Sequence, residues 1–139
     1  MYKDIAFFFL AFATCTSCTR QKPLSREELK SKLQSAASIA AEASTFIDYV
    51  GQERSTRHYA DGHIEYLSSA VSDINKDLHE AMPPGGAETE LMDGRKAVQS
   101  LAAELNQLEL DIDRPNARAH DQARIATIRR ELQRAGSSL

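Results

Sequence analysis

SREELKSKLQSAASIAAEASTFIDYVG, residues 25–51, is the stretch that decides the fold. Its opening, Ser25-Arg26-Glu27-Glu28, has the form of a capping box. In that motif the serine hydroxyl accepts from the amide three residues on, and the glutamate carboxylate reaches back to the serine amide. Leu24 and Leu29 flank the cap with the spacing of a hydrophobic staple. From there Leu29, Leu33, Ala36, Ala40, Ala43, Ile47 and Val50 step alternately by four and three residues. That is a seven-residue repeat, the buried seam of a left-handed helix pair. Ile39 and Phe46 widen the stripe, and the alanines in its middle allow a neighbouring helix to come close. The repeat stops at Gly51, so the spacing predicts a helix from the Ser25 cap to that glycine.

Toward the C-terminus the same period returns three times. Residues 52–56 offer a cap and no apolar seam position, so they read as a tight turn. A second helix is expected from Arg57 to Ala81, with Tyr59, His63 or Gly62, Tyr66, Ala70, Ile74, Leu78 and Ala81 facing inward. Met82-Pro83-Pro84-Gly85-Gly86 then breaks the chain more strongly than any other stretch. A third helix carries Leu91, Gly94 or Arg95, Val98, Leu101, Leu105, Leu108 and Ile112. Pro115 belongs in the first turn of a fourth helix, where its missing amide proton costs little. The cap there is Asp113 or Arg114. Ile125, Ile128, Leu132 and Ala135 form the fourth seam, with Gly136 as a natural stop.

These helices measure about 27, 25, 25 and 21 residues, or roughly 30–40 Å each. Similar lengths and short loops favour an all-α, antiparallel up-down four-helix bundle over residues 25–136. The alternative is a long helical hairpin that dimerises to complete its core. The fourth helix is the least apolar, which suggests peripheral packing. No strand is expected. Composition agrees: there is no Trp, aromatics are 6%, and the only cysteines are Cys15 and Cys18. No disulfide is available to the body of the chain, so packing alone must hold it. A net charge of −3 on 139 residues argues against nucleic acid as a partner.

Upstream of the bundle the chain changes character. After Met1-Tyr2-Lys3-Asp4 come nine apolar residues, Ile5 to Ala13, and then Thr14-Cys15-Thr16-Ser17-Cys18. A short charged start, an apolar run and small residues are the parts of an export signal. The run falls well below the roughly 20 residues that cross a bilayer. Thr16-Ser17-Cys18 resembles the lipobox of bacterial lipoprotein precursors, where small residues precede a cysteine. Cys15 stands where that family usually has Leu. The resemblance covers the N-terminal segment alone; the helical body matches no named family. It implies a signal over 1–17, a diacylglyceryl group on Cys18 as mature N-terminus, and a short tether over 18–24. Phe12-Ala13-Thr14-Cys15 offers a second register, with Cys15 as the lipidated residue. Ala11-Phe12-Ala13 offers ordinary cleavage and a freely secreted product. Thr19 after Cys18, where this family uses Asp for inner-membrane retention, implies an outer-membrane destination in an organism that has one. Cys15-x-x-Cys18 lies inside the export signal and away from any βαβ pattern, so a redox pair is not expected.

No catalytic motif stands in the body. Di-iron bundles use Glu-x-x-His pairs on facing helices, and none occurs. No nucleophile elbow, P-loop or Rossmann glycine pattern is present. His58, Asp61 and Glu65 share a helix face and are weak candidates for a divalent cation; no metal or cofactor is expected. The densest polar and aromatic patch is the first turnaround, and Arg57, His58, Tyr59, His63 and Tyr66 are its candidate contact residues. Arg and Tyr are typical of protein interfaces. The sequence therefore points to a non-enzymatic, lipid-anchored protein of the cell envelope, facing the periplasm or the exterior. Its bundle would act as a scaffold or bind a protein partner, with a homodimer as one form of that. The other reading is a periplasmic module for a small ligand or a metal.

Overall fold

The cap expected at Ser25 forms as the sequence requires. In the computed structural model, which describes residues 22–139, the Ser25 Oγ accepts from the Glu28 amide at 3.1 Å. The Glu28 Oε2 accepts from the Ser25 amide at 2.8 Å. The Ser25 amide, and then its hydroxyl, draw the Glu28 carboxyl below its ordinary pKa. Leu24 is buried beside Leu29, completing the staple. The proposed signal over 1–17, with Cys15, and the residues 18–21, with Cys18, lie outside the described residues.

Four helices follow: α1 (Arg26–Gly51), α2 (Arg57–Glu80), α3 (Glu88–Asp111) and α4 (Pro115–Ser137). The fold is the all-α, up-down four-helix bundle. Going round it, α1 lies on α4, α4 on α3, α3 on α2, and a thinner α2–α1 contact closes the ring. Leu33, Ile64, Leu101 and Ile125, one from each helix, are all fully buried. The chain encloses its own core, so no dimerising hairpin is needed to cover it.

The seams of α1, α3 and α4 lie where the repeats place them, apart from Val50, which is only half-buried. Helix α2 differs. Its buried residues are Ala60, Ile64, Leu67, Val71 and Leu78; Leu78 and Ala81 are buried as expected, but Ala60, Ile64, Leu67 and Val71 stand one position along from the expected Tyr59, His63, Tyr66 and Ala70. Over the first half of the helix both stripes have heptad spacing, and the more apolar one wins the core. The tyrosines keep their hydroxyls wet by lying on its flank.

Helix α4 is also corrected: it makes the broadest contacts in the bundle, against α1 and α3, and is not peripheral. Small residues make this possible, since Gly136 sits against Leu33 of α1. At the far end Gln122 Nε2 donates to Asp48 Oδ1 at 2.7 Å. The helix runs through Gly136 to Ser137, so that glycine serves packing and does not stop the helix. Arg114 is the N-cap, with Pro115 in the first turn.

Two short strands appear that were not expected. Lys22–Pro23 (β1) pairs in parallel with Ala81–Met82 (β2). This pins the incoming chain to the α2–α3 loop. Residues 22–24, the end of α2, the start of α3 and the end of α4 therefore share one end of the bundle. The α1–α2 turn and the α3–α4 turn share the other. No described helix is long and apolar enough to cross a membrane.

Candidate functional site

Tyr59, His63 and Tyr66 follow one another at i, i+4 and i+7, so α2 stacks them on a single face. That face is the flank of the buried stripe that looks toward α1. There His63 meets Phe46 with ring centroids 4.4 Å apart. Tyr59 lies nearly parallel to His63 at 6.0 Å, and Tyr66 stands 6.0 Å away on its other side. Tyr49 closes on Tyr59 edge-on at 6.5 Å. His63 Nε2 is 3.4 Å from Glu42 Oε1 on α1. The histidine is thus half-buried at the centre of a ring cluster. Around it Tyr49, Tyr59 and Tyr66 are 40%, 55% and 62% exposed.

Arg57 and His58 do not join this cluster. Arg57 lies on the opposite flank of α2. It pairs with Asp113, donates to the Glu109 carbonyl at 3.2 Å and reaches Asp61 Oδ1 at 2.7 Å. Asp113 is the chief reason its guanidinium pKa is raised. Arg57 therefore ties α2 to the α3–α4 turn. His58 and Glu65 are exposed, and Asp61 is occupied by Arg57. The weak cation candidates His58, Asp61 and Glu65 are not drawn together.

A second cluster, which sequence reading missed, sits between α3 and α4. Glu104 and Asp121 are 4% and 1% exposed, although carboxylates are rarely buried without a partner. Arg124 Nε donates to Glu104 Oε2 at 2.6 Å from the solvent side. His120 Nδ1 lies 3.9 Å from Asp121 Oδ1. The Asp121 Oδ2 is buried and has no hydrogen-bond partner among the described residues. A groove of about 440 Å³ runs past these residues, with Gln107 and Asp111 along it. Asp111 is itself held by Arg114 and by Gln107 Nε2 at 2.8 Å. Burial, then the charge of Glu104, push the Asp121 carboxyl above its ordinary pKa. One ligand atom from each of Glu104, His120 and Asp121 lies within 4.8 Å of the other two.

The chain was compared with protein-family models, with curated proteins and with solved structures, and nothing matches it in any of the three. The sites must be read from their own geometry. On neither surface does the geometry assemble a nucleophile with a base and a third residue to orient it, the arrangement a covalent catalyst needs. The aromatic flank offers a contact surface, and the α3–α4 groove offers charge.

Proposed function

We propose that the chain is a lipoprotein of the bacterial cell envelope whose bundle is a non-enzymatic module for binding or scaffolding a protein partner. The observation that carries this is the face formed by Tyr49, Tyr59 and Tyr66 around His63. Three tyrosines give rigid, amphipathic contact area at low entropic cost, the composition of interface hot spots. They border the thinnest seam of the bundle, where α1 and α2 touch least. The face lies toward the end opposite the tether. From Ser25 to Phe46 is roughly 30 Å of helix. A lipid on Cys18 would therefore present the tyrosines away from the bilayer, toward a periplasmic or exterior partner.

Site-specific photocrosslinking in cells tests this. A photoreactive residue at position 59 or 66 should give one discrete adduct, absent when the same residue replaces Arg129 on α4. Tyr49→Ser should weaken the adduct formed from position 66. The same adducts from every position, or none from 59 and 66, would sink the reading.

A further inference from the structure

We infer that Glu104, His120 and Asp121 form a binding site for one divalent cation of the zinc class, held between α3 and α4. The unpartnered Asp121 Oδ2, buried in a side chain 1% exposed, is the first argument. A buried carboxylate oxygen that accepts nothing costs its full desolvation energy, so it needs a proton or a cation. The second argument is the placement of its neighbours. One ligand atom from each of Glu104, His120 and Asp121 already lies within 4.8 Å of the other two, and zinc bonds such oxygens and nitrogens at about 2.0–2.2 Å. His120 is 71% exposed and free to swing. Arg124, which holds Glu104, is 58% exposed and can leave toward solvent as the ion arrives.

The donor set selects the ion. Two carboxylates and one imidazole suit zinc better than magnesium, which keeps an octahedral shell of oxygens. Two negative ligands also cancel the ion's charge in the groove. Three protein ligands leave a coordination position for water, reached through the groove that Gln107 and Asp111 border. The site joins α3 to α4 across the far turn, so a bound ion would brace those two helices and raise the melting temperature.

Calorimetry on the full chain in detergent micelles tests the site with zinc chloride, and cobalt(II) absorption reports the ligand field. The expected result is one zinc per chain, a raised melting temperature and cobalt bands in the visible. His120→Ala changes an exposed side chain and should leave the fold intact by circular dichroism while weakening zinc by about tenfold or more. Asp121→Asn and Glu104→Gln should abolish the cobalt bands. Absence of heat at millimolar zinc overturns the proposal and leaves a proton shared between the two carboxyls. Binding that survives both His120→Ala and Asp121→Asn also overturns it, since the ion then sits elsewhere, on Cys15 and Cys18 or on His58, His63 or His79. An equal response to magnesium overturns it as well, because an unselective acidic patch would explain the heat.

Discussion

Arg95 shows how much one side chain can settle. It sits on α3 beside the core glycine Gly94, yet it serves the end of α2. Its Nε donates to the Leu78 carbonyl at 2.7 Å, and one guanidinium nitrogen donates to the Ala81 carbonyl at 2.7 Å. The last carbonyls of a helix have no partner of their own, and a cation there also meets the negative end of the helix dipole. Arg95→Ala should lower stability by about 1–3 kcal/mol in urea unfolding. Arg95→Lys should recover only part, because a single ammonium cannot reproduce the fork. Asp77 is the contrasting case. It pairs with Lys32 across α1 and α2, and that contact draws its pKa below the ordinary value. A lowered acid pKa stabilises the fold above the unfolded pKa and is lost as pH falls through the folded one. Because the pair is exposed, Asp77→Asn should cost only about 0.2–1 kcal/mol at neutral pH. Thermal melts in strong acid should show no difference from wild type, and a gap that persists there would remove the ion pair as its cause.

At the scale of helices, α3 meets α1 across the bundle where Gly94 faces Leu33. A Cβ placed on Gly94 would lie 2.6 Å from Leu33 Cδ2, and Leu33 is fully buried with Gly136 on its other side. Gly94→Ala gains about 1 kcal/mol in helix propensity. Overpacking a buried site costs about 1–3 kcal/mol. The methyl group should therefore lower stability on balance. In a Leu33→Ala background the same change fills part of a cavity and should raise it. That reversal of sign in a double-mutant cycle separates packing from propensity; the same sign in both backgrounds would show that Leu33 is not what the methyl meets. The seams around this contact were legible in the chain because the capping box and heptad agreed on α1, and breakers and heptads agreed on α3 and α4. Helix α2 carried two heptad stripes one residue apart. Counting tyrosines as core favoured the wrong one over the first half of the helix, although Ala60, Ile64, Leu67 and Val71 hold no polar atom in their side chains. The Glu104–His120–Asp121 cluster was illegible for a different reason. Each residue reads as an ordinary solvated position, and only the register of α3 against α4 brings them together. The partnerless Asp121 oxygen has no signature in sequence at all.

The whole molecule has two unlike ends. One carries the tether, pinned by Lys22 and Pro23 against Ala81 and Met82. The other carries the α1–α2 and α3–α4 turns, with the tyrosine face and the acidic groove in the half of the bundle nearest them. Four peptide steps separate Cys18 from Lys22, so a lipid on Cys18 would hold the tethered end within about 14 Å of the bilayer surface. A lipoprotein anchor carries several acyl chains, and each buried methylene adds about 0.8 kcal/mol. Attachment of that strength does not wash off in salt, and no described helix of the bundle is long and apolar enough to cross a membrane by itself. Expressed in a bacterium, the wild type should take up a palmitate analogue and fractionate with membranes after a high-salt wash. Cys18→Ala should lose the label and accumulate as precursor or appear in the soluble fraction, and Cys15→Ala should change neither. Loss of label in Cys15→Ala with label retained in Cys18→Ala would assign the anchor to the earlier cysteine, and the tether would lengthen by three residues. A soluble, unlabelled wild type would instead place cleavage after Ala13 and free the bundle from the membrane. The tyrosine face would then have no bilayer to be held away from.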